Sequence, residues 1–308
     1  MFSLEDNHII VNYHYVEDPR PDKQGIAPCF VSDFEKQVKF LSENYRIVSV
    51  SEVFRTAKEN GSEKLCAITF DDGLNDQYDN ALPILKKYKA PATFFIITSV
   101  FSGRLPTAHK IHNLLSRVPV GQLVDKFNGF LKEFYPDLVE NYLIPKDRRL
   151  TQKRLHEDLI TANFKETMIM APEDMKGRFL RFGFKTFGLN EKKISKELFM
   201  DKDRVRLLQK AGMYIGNHSH HHYALNVINE ETLRNDLRLS KDVLLDILGE
   251  QPKVFSYPHG RSNDAARKIL QEEGIEYAVT IDKRAIEKND EPLLIPRYDT
   301  NDIKRLAS

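Results

Sequence analysis

Cysteine is nearly missing: Cys29 and Cys66 are the only two in 308 residues. They lie far apart without metal-ligand spacing, which argues against a disulfide framework and makes a reducing compartment the simplest expectation. Cys66, inside an apolar run, reads as a small core residue. Charge of one sign is also lacking. The formal net charge is +1, so no whole-molecule field draws in nucleic acid or an anionic membrane, and partners must be sought at sites. No apolar run is long enough to span a bilayer, and Met1-Phe2-Ser3-Leu4-Glu5-Asp6 has no basic segment leading into an apolar one. Neither membrane insertion nor export is therefore expected, and a cytoplasmic location is the simplest reading. Internal repeats and low-complexity tracts are absent as well. What is left is a globular chain, 41% apolar and long enough to bury a large core in one big domain or a domain carrying an insertion.

The apolar runs alternate with helical patterns. A strand is expected at Ile9-Ile10-Val11-Asn12-Tyr13, then a helix after Ser32, where Glu35 completes a capping-box pattern and Phe34, Val38 and Leu41 recur at helical spacing. A short strand at Ile47-Val48-Ser49-Val50 precedes a helix capped by Ser51 and ended near Gly61. Leu65 to Phe70 is another strand, followed by a helix from about Asn80 to Tyr88 and a strand at Ala92 to Ile97. The rhythm resumes with helices at Asp203–Lys210, Glu230–Leu248 and Ala265–Gln271, and strands at Met213–Ile215, Val254–Tyr257, Tyr277–Thr280 and Leu293–Ile295. Repeated βα alternation implies a parallel sheet covered by helices, either open or closed into a barrel. Residues 104–200 break the rhythm, with Leu114, Leu115, Leu123, Phe127 and Phe130 at helical spacing and no convincing strand, so an α-helical insertion within a single 1–308 domain is expected. That segment holds 18 Lys or Arg against 12 Asp or Glu. It could be a solvated cap, a basic wall guiding an anionic substrate, or an oligomer contact.

Polar residues with reactive side chains fall directly after the strand candidates. Asp71 and Asp72 follow one in Thr69-Phe70-Asp71-Asp72-Gly73; His218-Ser219-His220-His221-His222 follows another; Tyr257-Pro258-His259-Gly260 ends a third; His14 ends the first. In a βα barrel such positions converge on one mouth. A lone His there is more often a hydrogen-bonded rim residue and an Asp-Asp-Gly often only a turn, but four such sites on one face outweigh that reading. His218 and His222, four apart, could share one face of a helical turn, and with Asp72 they offer two imidazoles and a carboxylate. Such a set leaves coordination positions open for water and substrate, as a catalytic metal site requires.

These residues resemble the polysaccharide deacetylases that share the NodB homology domain, carbohydrate esterase family four. The TFDDG motif is complete at Thr69–Gly73 and the HSxxH motif at His218–His222. The resemblance spans roughly residues 8–103 and 201–300. It implies a distorted (β/α) barrel of about seven strands, a divalent metal, most often zinc, and hydrolysis of an N-acetyl group on an amino sugar of a polysaccharide or its precursor. Carried over by position, Asp71 is the catalytic base, and Asp72, His218 and His222 are the metal ligands. Two departures stand out. The family's third motif usually has an Arg before Pro-Pro-Tyr, whereas this chain has Ser256-Tyr257-Pro258-His259-Gly260. Arg297, after the last strand candidate, is the candidate to orient the base instead. The family's C-terminal apolar strand ending in a general-acid His is missing, yet Ile9 to His14 has that form at the N-terminus, as in members with circularly permuted motifs. His14 is therefore assigned as proton donor. Tyr257, Pro258 and His259 are assigned to substrate and oxyanion, with a backbone N–H near Tyr257 as the donor. The alternatives are hydrolysis of a different amide such as a cyclic ureide, a non-catalytic sugar-binding protein on the same fold, and, from ligand types alone, an iron oxygenase.

Overall fold

The computed structural model describes residues 8–18, 28–59, 61–152, 155 and 157–303. In chain order, β1 (His8–Tyr13), α1 (Val31–Asn44), β2 (Arg46–Ile47), α2 (Val50–Lys58), β3 (Leu65–Phe70), α3 (Leu82–Lys87) and β4 (Ala92–Ile96) make a first alternating run. Then come α4 (Thr107–Leu115), α5 (Val120–Phe134), α6 (Val139–Tyr142), α7 (Leu159–Met170), α8 (Glu173–Thr186) and α9 (Glu191–Leu198), with no strand between them among the described residues. The alternation returns with α10 (Lys202–Lys210), β5 (Tyr214–Asn217), α11 (Glu230–Leu248), β6 (Val254–Ser256), α12 (Asp264–Glu272), β7 (Tyr277–Val279), β8 (Tyr298–Asp299) and α13 (Thr300–Ile303). Two compact units result. Among the described residues one takes those up to Gly103 and from Ser195 onward, and the other takes Arg104–Ile194.

The first unit is built on one sheet of order β7-β6-β5-β4-β3-β1-β8, with β2 attached to β3 and every pairing parallel. It is a curled, partial (β/α) barrel. Ile295 bridges Val279 of β7, and three residues later Tyr298 pairs with Val11 of β1, so this one segment links the two edges.

Strands β1 and β3 are buried on both faces, as strands packed between helices and a barrel interior must be. Their side chains separate by alternation. Ile9, Val11 and Tyr13 of β1 and Cys66, Ile68 and Phe70 of β3 join Phe34, Val38 and Leu41 of α1 and Leu85 of α3 in one core. Ile10, Ala67, Phe95, Val279 and Ile295 gather in a second, with Val53 and Phe54 of α2. The register Ile10↔Ala67, Asn12↔Thr69 aligns the second set into rows. With a period of two, the row 10, 12 continues to His14 and the row 67, 69 to Asp71, which brings both to the C-terminal mouth.

Several boundaries differ from expectation. α1 starts at Val31 behind Phe30, which makes no side-chain cap, so the capping box of Ser32 and Glu35 does not form. Ser49, not Ser51, caps α2 by accepting from the Glu52 amide at 3.2 Å, and this ends β2 at Ile47 and places Val50 in the helix. The helix expected near Asn80 opens instead as a π turn over Gln77–Ala81. The last strand is Tyr298–Asp299 rather than Leu293–Ile295, because Pro296 has no N–H with which to continue a ladder from Ile295. Among the described residues no helix is long and apolar enough to cross a membrane.

Candidate active site

The loops after β3 and β5 bring three ligand-type side chains together. Asp72 Oδ1 lies 3.5 Å from His218 Nε2 and 3.4 Å from His222 Nε2, and all three residues are buried. The three ligand atoms lie within 4.8 Å of one another. The expected helical turn is not how this is done. Residues 218–222 form an irregular loop in which Ser219 and His222 have φ of 64° and 61°, and Asp72 sits at φ 79° ahead of Gly73 at 75°. Left-handed conformations at non-glycine residues cost about 1–3 kcal/mol each and cluster where side chains must be aimed.

The set fits a divalent cation on its chemistry. His218 Nδ1 lies 2.8 Å from the Ser256 carbonyl, which can only accept, so Nδ1 carries the proton and Nε2 turns its lone pair toward Asp72. Burial works against a charge on His218, but the Asp71 and Asp72 carboxylates outweigh it and hold the imidazole above its ordinary pKa. Two buried carboxylates make a pocket that attracts positive charge. His220 and His221 turn elsewhere, to Thr98 Oγ1 at 2.8 Å and Asp236 Oδ1 at 2.7 Å, which settles which pair of the four histidines faces Asp72.

Asp71 is clamped beside this set. Arg297, only 1% exposed, approaches it through two parallel contacts, Nη1 to Oδ1 at 2.9 Å and Nη2 to Oδ2 at 2.8 Å. The same guanidinium donates to Asn12 Oδ1 at 2.9 Å, Ser256 Oγ at 3.1 Å and the Thr280 carbonyl at 2.8 Å. Asn12 Nδ2 donates in turn to Asp71 Oδ2 at 3.2 Å. Burial alone would raise the Asp71 carboxyl, but the Arg297 charge, with His218 and the Arg297 hydrogen bonds, prevails and holds it at about 2. An arginine from the far end of the chain thus occupies the place next to Asp71 where the third motif has none to offer.

His14 Nε2 lies 3.9 Å from Asp71 Oδ2, with 45% of its side chain exposed. Gln77, fully buried in the π turn, donates to both the His14 carbonyl at 2.9 Å and the Asp71 carbonyl at 2.6 Å, and so ties the ends of β1 and β3 together. Pro258 is buried, and the His259 ring, at φ 57°, lies 4.5 Å from that of His222. Tyr257 departs from expectation. Its N–H reaches the Val279 carbonyl at 3.3 Å and its hydroxyl donates to the Leu293 carbonyl at 2.9 Å, so the Tyr257 amide itself is engaged by the sheet and an oxyanion donor near it would be a different N–H. Sequence reasoning missed Asn12, Gln77, Asp236 and Ser256. For Asn12 and Ser256 a signal existed: each is a polar residue inside an otherwise apolar strand.

A model of the polysaccharide deacetylase domain matches residues 58–115 and 183–278, half of the chain. The chain belongs to the polysaccharide deacetylase family. It is therefore a hydrolase acting on carbon–nitrogen bonds other than peptide bonds. The poly-beta-1,6-N-acetyl-D-glucosamine N-deacetylase of Staphylococcus aureus is 24% identical over 273 residues, which cover 88% of this chain and 67% of that protein. Among solved structures, the Streptococcus pyogenes deacetylase PplD in complex with acetate matches with a TM-score of 0.60 at 19% identity, over 95% of this chain and 91% of that one. IcaB from Ammonifex degensii matches with a TM-score of 0.59 at 16% identity, over 98% and 97%. These two show that the barrel is a shared fold.

Proposed function

We propose that this polysaccharide deacetylase removes the acetyl group from an N-acetylated amino sugar of a polysaccharide or its precursor, and that it does so with a divalent cation, zinc foremost. The observation that carries the reading is the Asp71 carboxylate, fixed in two-point contact with Arg297, next to the Asp72–His218–His222 cluster. A cation held by those three would lower the pKa of water and polarise the amide carbonyl. Asp71 takes a proton from the attacking water as oxygen bonds to the acetyl carbon, and Arg297 keeps the carboxylate ionised and aimed. His14 gives a proton to the departing nitrogen, since an amine leaves poorly unless protonated. The C–N bond breaks, and acetate and the free amine are the products. We place the sugar against the Pro258–His259 strip, where the His259 ring adjoins His222. The name of the Staphylococcus aureus relative makes β-1,6-linked N-acetylglucosamine oligomers the first substrate to try.

The test joins metal analysis to acetate release from such oligomers. Wild-type protein should bind about one cation and release acetate; Asp71→Asn should keep the cation and lose the release. Full activity in Asp71→Asn would remove the base from the scheme, and ring opening of a cyclic ureide without acetate release would favour the other amide.

A further inference from the structure

The amides of the ligand loop are held almost entirely by side chains, while the Ser219 and His220 carbonyls accept from the Thr98 and Ser99 amides at 3.2 and 3.0 Å. The Ser219 amide donates to Asn217 Oδ1 at 2.8 Å, His220 to Asp236 Oδ2 at 2.9 Å, His221 to Asp236 Oδ1 at 2.9 Å, and His222 to Ser219 Oγ at 2.9 Å. Every N–H from 219 to 222 thus ends on a side-chain oxygen, and only that of His218 joins the sheet, at the Ile96 carbonyl 3.0 Å away. Asp236, 1% exposed, also binds the His221 ring at 2.7 Å. One turn further along α11, Ser240 Oγ accepts from Asn217 Nδ2 at 2.9 Å, so one face of this helix supports both anchors of the loop. The two left-handed residues, Ser219 and His222, lie inside the segment so held. Without these acceptors the loop would keep only its backbone contacts to Ile96, Thr98 and Ser99, and the distance between His218 and His222 would be set less firmly.

We infer that Asp236, seconded by Asn217 and Ser240, is a positioning residue that sets the affinity of the Asp72–His218–His222 site for its cation by holding the backbone between the two histidines. This rests on the reading of those three residues as ligands. Side chains that orient metal ligands from behind typically govern affinity by 10–100-fold. Asp236→Asn keeps the size of the side chain but places an NH2 against an amide donor, so the loop loses at least one of its three contacts with the carboxylate.

The experiment measures zinc binding to metal-free protein by competition with a chromophoric chelator, for wild type, Asp236→Asn and Ser240→Ala. Denaturation of each is followed in chelator to confirm that it is folded. Asp236→Asn should bind zinc at least tenfold more weakly and Ser240→Ala several-fold more weakly, with excess zinc restoring occupancy in both. Ser240→Ala removes a single hydroxyl and reports even if the aspartate variant does not fold. Affinities within twofold of wild type in the folded variants would overturn the proposal while leaving the ligand set intact. A wild type that binds no zinc would instead sink the ligand set.

Discussion

Replacing Arg297 by Met isolates what the buried clamp does. Arg297 and Asp71 are 1% and 4% exposed at the side chain, so removing the guanidinium leaves a buried carboxylate with Asn12, His218 and His14 as its remaining partners. Breaking a buried pair from one side costs about 3–5 kcal/mol. The lowering of Asp71 from 3.8 to about 2 corresponds to about 2 kcal/mol of that, present above about pH 4 and lost as pH falls through about 2. In Arg297→Met the push from burial is opposed only by His218 and His14, so the Asp71 pKa rises from about 2. The carboxylate then destabilises the fold at neutral pH, and protonation relieves it. The gap in stability between wild type and variant should therefore narrow from pH 7 to pH 4, read by urea denaturation of metal-free protein. Adding Asp71→Asn to the variant should recover about 2 kcal/mol, since the uncompensated charge is gone. Turnover should fall about 100-fold, the scale of a lost general base, with bound zinc unchanged. A gap that is constant with pH, or a rate equal to wild type, would refute the reasoning.

Further predictions concern the neighbours of the base. His14→Ala should lower acetate release from N-acetylated sugars by about 100-fold while sparing hydrolysis of an activated aryl acetate, whose leaving group departs unprotonated; equal losses on both substrates would argue against proton donation. Gln77→Leu leaves the His14 and Asp71 carbonyls and the Leu74 amide without the side chain they bond, which should cost about 1–3 kcal/mol in thermal unfolding and lower kcat more than it raises KM. An unchanged kcat in Gln77→Leu would make that residue purely structural.

How far the chain could be read in advance follows from how local each signal is. The strands were legible because both faces of β1 and β3 are buried, which writes continuous apolar runs into His8–Tyr13 and Leu65–Phe70. Asp71 and Asp72 were legible as polar residues where the second of those runs stops, and His218 as one that follows the strand at Met213–Ile215. The conformation of the His218–His222 loop was not, since it depends on Asp236, a single aspartate in α11 whose helical context looks like any solvated face. Arg297 could be suspected but not placed, because its six polar contacts come from β1, β3, β6 and the end of β7, and no sequence spacing relates residue 297 to residues 12, 69, 71, 256 and 280. Ser256 belongs to both halves of the site, with its hydroxyl on Arg297 and its carbonyl on His218, and that double role exists only once β6 lies beside them.

The clamp on Asp71 also bears on what a cation would contribute. A carboxylate at about 2 is a weak base. Taking a proton from bulk water, with a pKa of about 15.7, would be uphill by about 14 units, or about 19 kcal/mol. A turnover of about 10 per second corresponds to a total barrier of about 16 kcal/mol, so a cation that made the water more acidic would ease the work asked of Asp71. A cation held by Asp72, His218 and His222 would lower the pKa of its water toward about 7 and the same transfer to about 5 units, or about 7 kcal/mol. The clamp thus trades basicity for an ionised carboxylate fixed in direction, which suits a nucleophile whose acidity a cation at Asp72, His218 and His222 would raise. Protein stripped with a chelator should consequently release acetate at no more than the uncatalysed rate, and added zinc should restore the full rate. A metal-free protein that retained even a hundredth of the activity would refute the dependence on a cation.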